Sequence, residues 1–198
     1  MQTLKFMTAL LLLSLPAASV SAGEGKWGAA LIGGLLMEDE HSGVTVKEGP
    51  LAGAEVSRQM NEEIYLHFAF SLASSEKRSS LTPGVKYEFN NYFGTLCGTY
   101  RLDRILKGLY LGPQAAVITR AWTNKGGGGD SISMTGLGYG ARIGYEHKLS
   151  GKFSSGLQGN YLKAAKAETT VKEGGADVTY SVPATSFTSL LVSLKYHF

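Results

Sequence analysis

The sequence is poor in the residues from which small chemical sites are usually built. It holds one cysteine, Cys97, in 198 residues. A single thiol closes no internal disulfide and cannot supply a Cys-x-x-Cys zinc site. Proline is scarce, at five residues. Neither sign of charge dominates: 19 Lys and Arg stand against 16 Asp and Glu, a formal charge of +3, and one of those lysines is Lys5, near the N-terminus. A near-neutral balance argues against a dedicated nucleic-acid binder. Long apolar runs are missing after residue 22, so no membrane helix is expected there. Such a chain is either soluble beyond the inner membrane or a closed barrel.

The apolar run that does exist is N-terminal and short. Lys5 supplies a positive flank, Phe6 to Leu15 is apolar, and small residues follow to Ala22. The pattern predicts a secretory signal peptide over 1–22, cleaved after Ala22, and a mature domain over 23–198. The run falls short of the roughly 20 residues that a spanning helix needs.

Glycine (26 residues) and tyrosine (10) are abundant, and mean hydropathy is near zero. Segment after segment alternates with period two. In the last ten residues one parity reads Leu190, Val192, Leu194, Tyr196, Phe198, and the other reads Ser189, Leu191, Ser193, Lys195, His197. In 137–145 Leu137, Tyr139, Ala141, Ile143 and Tyr145 oppose Gly138, Gly140, Arg142 and Gly144. In 64–72 Ile64, Leu66, Phe68, Phe70 and Leu72 oppose Tyr65, His67, Ala69 and Ser71; 109–117 follows more weakly. In 81–89 Leu81, Pro83, Val85, Tyr87 and Phe89 oppose Thr82, Gly84, Lys86 and Glu88. Aromatics at the ends of apolar faces suit the interfacial girdles of a membrane barrel. Glycine on the polar face suits a narrow interior. A β-sandwich also alternates and is the competing architecture.

The terminal series Leu190, Val192, Leu194, Tyr196 and Phe198 resembles the C-terminal signature of bacterial outer-membrane proteins. The resemblance implies that these residues are the signal read by the barrel-assembly machinery. Over the mature chain the sequence resembles small outer-membrane β-barrel proteins of Gram-negative bacteria. That implies an all-β fold: a single antiparallel up-and-down transmembrane barrel of eight strands.

The eight expected strands are 26–37, 63–73, 81–90, 93–102, 108–122, 131–149, 152–167 and 184–198. With the C-terminus in the periplasm, 74–80, 103–107 and 150–151 become periplasmic turns. Segments 38–62, 123–130 and 168–183 become surface loops, with a very short one at 90–92. The polar set expected to face the lumen is Lys86, Glu88, Arg101, Gln114, Arg120, Arg142, Glu146 and Lys195, with Gln158 and Asn160. These could line a pore. An eight-stranded barrel is only wide enough for side chains to fill it, so internal pairing of the charges is the stronger expectation. Cys97 falls on the same parity as a small filler.

Chemical motifs are absent. Gly136-x-Gly138-x-Gly140 is not followed by a helix that could receive phosphate, so it reads as a strand face. The run Gly126–Gly129 lacks the Lys-Ser/Thr of a phosphate loop. His41, His67, His147 and His197 show no metal-ligand spacing. Outer-membrane lipid A deacylases place His and Ser two residues apart on one strand face; His67-Phe68-Ala69 does not. The expectation is therefore no catalysis, no cofactor and no metal. The partners expected are outer-membrane lipids and lipopolysaccharide, plus the assembly machinery during biogenesis. No nucleic acid is expected, and the barrel should be a monomer in the outer membrane, exported through the periplasm. Three roles stay open: a structural or adhesive barrel presenting loops, a narrow channel for small or hydrophobic solutes, and a lipid A-modifying enzyme. A soluble periplasmic β-protein is a fourth.

Overall fold

The computed structural model describes residues 27–39, 44–46, 48–79, 86–124, 131–173 and 176–198. The expected signal peptide and His41 lie outside the described residues. All described elements are strands: β1 (Trp27–Glu38), β2 (Val44–Val46), β3 (Gly49–Gln59), β4 (Ile64–Ser79), β5 (Lys86–Arg101), β6 (Leu109–Asn124), β7 (Ser131–Lys148), β8 (Phe153–Ala164), β9 (Ala167–Glu173), β10 (Ala176–Val182) and β11 (Thr185–His197).

Eight of them close a ring in the order β1-β3-β4-β5-β6-β7-β8-β11, with β11 returning antiparallel to β1. Closure satisfies every strand edge, which a wall facing lipid requires. Along each strand the parities separate cleanly. Leu31, Leu137 and Val192 are 71%, 69% and 60% exposed, while Ile32, Arg142 and Leu191 between such positions are buried. A water-soluble sandwich would bury the first set. Here the apolar parity forms the outside, the pattern of a wall bathed in lipid. Phe153, Tyr196 and Phe198 stack beside one another at the end where the strands begin and finish, with ring centroids 5.1 and 6.1 Å apart. That end is called the termini side below, and the opposite end the far rim. The terminal series Leu190, Val192, Leu194, Tyr196 and Phe198 lies wholly on the outward parity.

The turns on the termini side are short, and each is closed by one polar side chain. The Asn61 carboxamide oxygen accepts from the Glu63 and Ile64 amides. Asp103 accepts from the Gly108 amide at 2.7 Å, and Ser150 from the Phe153 amide. Gly108 has φ of 93°, a left-handed conformation that favours glycine. Pro113 sits inside β6, where it has no N–H to donate. The β5–β6 ladder is paired up to Cys97–Gln114 and resumes at Tyr100–Leu111. The far rim is more elaborate. β2 pairs with the end of β4, and β9 and β10 form a separate two-stranded sheet joined to the wall through 165–166 and 183–184.

Two expectations need correction, and they cancel in the strand count. The segment 38–62, expected as a loop, contains β2 and β3. The segments 81–90 and 93–102, expected as two strands, supply one strand, β5, which runs through the expected loop at 90–92. The expected turn 74–80 is strand to Ser79 and ends at the far rim. The 63–73 segment therefore runs opposite to expectation. Parity changes as well. β5 is in continuous register with β4; the side chains of Lys86 and Glu88, expected in the lumen, lie outside the described residues. Phe89 falls on the parity of buried Asn91 and Phe93 and packs on Trp122 at 6.1 Å. It is not a girdle residue.

Candidate functional site

The inward parity delivers a column of side chains that fills the lumen in layers. Nearest the termini side, Lys195 donates to Glu146 at 2.8 Å. The other Glu146 oxygen lies 3.4 Å from His197 Nε2, which also meets the Ser154 hydroxyl at 2.8 Å. Next comes Glu55 of β3, buried, with both oxygens engaged: Arg142 Nη1 donates to one and His67 Nδ1 to the other. Arg142 Nε donates to Asn160 Oδ1, whose amide nitrogen donates to the Ser189 hydroxyl. With Nδ1 carrying the proton in a neutral imidazole, His67 Nε2 accepts from the Thr99 hydroxyl at 2.8 Å. Charges taken out of water survive when paired and further hydrogen-bonded, as Glu55 is by Arg142 and His67, and Arg142 by Glu55 and Asn160.

Above this lies an apolar layer of Ile32, Leu36, Leu51, Phe93, Leu162, Phe187 and Leu191. Phe93 and Phe187 meet edge to face at 5.3 Å. The layer borders a cavity of about 30 Å³ floored by Gln114, Arg142, Asn160 and Ser189, room for a water or two. Higher still, Arg120 lies over the Phe187 ring at 4.6 Å, with Nη1 3.8 Å from Glu38. Its ladder partner is Asn91, 1% exposed. Arg120 Nη2 and both polar atoms of the Asn91 carboxamide have no hydrogen-bond partner. At the top Phe89, Trp122 and Tyr180 form a chain of ring contacts, each 6.1 Å between centroids.

The predicted residues thus divide. Lys195 and Glu146 pair with each other. Arg142 pairs with Glu55, which was expected in a loop. Gln114 donates to the Ala141 and Tyr161 carbonyls instead of a charge. Arg101 ends at the turn, paired with Asp103 at 3.2 Å and lying over Tyr65. Arg120 stands apart in the upper layer. Gln158 accepts from the Tyr110 hydroxyl. Cys97 is fully buried. Gly136, Gly138 and Gly140 lie on the inner parity of β7, with Ile118 packed over Gly138. Glu55, Thr99 and Asn91 were missed. Of these, Glu55 was readable, because Gly53, Glu55 and Ser57 against Ala52, Ala54 and Val56 repeat the polar-in alternation of the other strands.

Outside the spanning strands, the hydrogen bond from Gly108 holds the Asp103 carboxyl below its ordinary value, and Arg101 adds to the effect. Thr99, His67 and Glu55 have the hydroxyl–imidazole–carboxylate order of an activated nucleophile. Thr99 is 2% exposed and His67 4%, and neither lines the cavity under the apolar layer or the one beside Arg120. Among the described residues no helix is long and apolar enough to cross a membrane, which says nothing of strands. No cluster of metal-ligating side chains occurs among them either.

No family model and no curated protein matches the sequence. Solved structures do match in fold. The attachment invasion locus protein Ail of Yersinia pestis, crystallised with the heparin analogue sucrose octasulfate, is 15% identical with a TM-score of 0.54, over 89% of this chain and 99% of that one. Neisserial surface protein A is 10% identical with a TM-score of 0.53, over 89% and 100%. A major outer membrane protein of Thermus thermophilus is 13% identical with a TM-score of 0.57, over 87% and 98%. The chain has the eight-stranded barrel fold of these outer-membrane proteins.

Proposed function

We propose that this protein is a non-enzymatic barrel of the Gram-negative outer membrane, exported through the periplasm, whose filled interior is a rigid stand for segments at the cell surface. Its role is structural or adhesive. The observation that carries the reading is the lumen. Paired charges and an apolar layer occupy it, and the cavity between these two layers is about 30 Å³, too small for a hydrated ion. The orientation follows from the asymmetry of the ends. Short turns lie on the termini side, which faces the periplasm, while β2 and the β9–β10 hairpin rise from the far rim, which faces outward. An attachment protein solved with a heparin analogue, among the similar structures, supports the adhesive role. Lipids and lipopolysaccharide surround the wall, and the assembly machinery reads the terminal strand. The closed ring offers no free edge, so the barrel acts as a monomer.

The test joins fractionation to electrophysiology. The protein should sediment with outer membranes, migrate differently on gels with and without boiling, and give no current steps in planar bilayers. Regular conductance steps would overturn the closed-lumen reading in favour of a narrow channel. An altered lipid A mass in expressing cells would overturn the non-enzymatic one. A soluble periplasmic band without a heat shift would sink the membrane assignment.

A further inference from the structure

Of four buried polar side-chain atoms without a partner among the described residues, three lie together in the upper lumen; the fourth is Gln158 Nε2, in a lower layer. Every charge in the two lower layers has a partner within hydrogen-bond reach, whereas Asn91 and Arg120 Nη2 are buried with none. Buried polar atoms left unpaired cost about 1–3 kcal/mol each, and a native structure that keeps them calls for a partner. The unmet demand has a definite chemistry. Asn91 lacks both an acceptor for its amide and a donor for its carbonyl, and Arg120 Nη2 lacks an acceptor. A carboxylate or phosphate supplies acceptors alone. A hydroxyl supplies both, and two neighbouring hydroxyls answer all three atoms. Glu38, 3.8 Å from Arg120 Nη1, already balances the charge, so a neutral ligand is favoured over an anion.

Over this layer Trp122 and Tyr180 meet at a T-shaped 68°, and Phe89 backs Trp122. Aromatic faces beside planar amide and guanidinium groups suit a sugar ring, whose C–H face is apolar and whose rim is hydroxylated. We infer that the mouth at the far rim binds a neutral saccharide, its hydroxyls held by Asn91 and Arg120 and its ring covered by Trp122 and Tyr180. The inference deepens the adhesive reading by naming a ligand class.

Access requires the roof to move. The cavity beside Arg120, closed by Ala167 and Val182 at the hairpin root, holds about 10 Å³, one water's worth. The β9–β10 hairpin is suited to swing. Among the described residues it shares no ladder with the barrel, touching β7 where Ala167 lies beside Gly136, and residues 165–166 and 183–184 join it to the wall outside any strand. The Ala165 amide, donating to Leu137 O at 2.8 Å, anchors the first joint.

The chain has two tryptophans, so Trp27→Phe leaves Trp122 as a reporter inside the proposed site. D-glucose, D-galactose, D-mannose and N-acetyl-D-glucosamine are titrated separately into the refolded Trp27→Phe barrel, with sodium acetate as the anionic comparison. The expected result is a saturable change in Trp122 emission with at least one sugar and none with acetate. Adding Asn91→Ala should weaken the binding about tenfold, the size of a lost hydrogen-bond pair, in protein that keeps its heat-modifiable form. If that variant does not fold, Arg120→Gln serves in its place. The inference fails if no sugar saturates, if acetate matches the sugar, or if the folded variant binds unchanged. A membrane-inserted, non-conducting barrel that binds no sugar would overturn this inference alone and leave the proposed function standing.

Discussion

Replacing Arg142 by methionine should destabilise the barrel more than replacing both Arg142 and Glu55. The two side chains are 3% and 4% exposed and share a direct ion pair. Arg142→Met leaves one Glu55 oxygen and the Asn160 carbonyl without their donor in a site that water reaches poorly. Removing one partner of a buried pair costs about 3–5 kcal/mol. Glu55→Leu strands the guanidinium and the His67 Nδ1 proton, at a similar cost. In the double variant no charge remains unpaired. His67 and Asn160 each lose one hydrogen bond, about 1 kcal/mol apiece, so the double should cost about 2 kcal/mol, less than either single. The assay is reversible urea unfolding in lipid vesicles, followed by tryptophan emission and checked by the heat-shift gel. Additive effects, with the double near the sum of the singles, would refute the claim that the pair is a mutually dependent unit. Singles under about 1 kcal/mol would show the layer to be hydrated like a surface pair.

Other expectations test separate parts of the structure. Asp103→Asn should destabilise the 102–108 turn at neutral pH and not in strong acid. The folded carboxyl titrates below its ordinary value, so its contribution is present above the unfolded value and fades as pH falls through the folded one. Equal effects at both pH values, measured by amide exchange at Gly108, would discount the hydrogen bond. Gly140→Ala should cost about 3 kcal/mol or more, because a Cβ there would lie 1.8 Å from the Tyr161 carbonyl oxygen; an unshifted gel-melting temperature would contradict this. Phe198→Ala should slow the appearance of folded barrel in cells while barely changing refolding of the purified chain into detergent. Equal slowing in both would mean that the terminal aromatic acts through stability instead of recognition.

The sequence was most legible where lipid-facing residues are large. β7 and β11 announce themselves through Leu137, Tyr139 and Ile143 and through Leu190, Val192 and Leu194. β3 is quiet because its outward positions are Pro50, Ala52 and Ala54, which fit a lipid-facing wall but give little hydropathy contrast. Asn90-Asn91 looks like a turn because asparagine favours turns, yet closure of the ring forces the chain straight and carries Asn91 inside. Parity alone placed Arg142, Glu146 and Lys195 in the interior. It supplies Glu55 only where β3 is recognised as a strand, and the weak contrast of β3 hides that. The roof was unreadable for another reason. Tyr180 reaches Trp122 only because the β9–β10 hairpin leans back over the mouth, a tertiary event without local signature.

The pairing of β1 with β11 gives the barrel a clasp. The Phe198 amide donates to the Trp27 carbonyl at 3.0 Å, so the first described residue and the last are fastened to each other. Each other pair of neighbours in the ring either adjoins in the chain or is separated only by β2 or by the β9–β10 hairpin, and can form as a local pair. This one waits for the whole chain. Until β11 arrives, β1 and β8 each present a bare edge, and the charged column has no complete wall around it. A chain cut short by a single strand would therefore lose the enclosure of every layer at once, along with one strand's worth of contacts. The fold thereby proofreads its own assembly, since only a chain that carries both β1 and β11 can fasten.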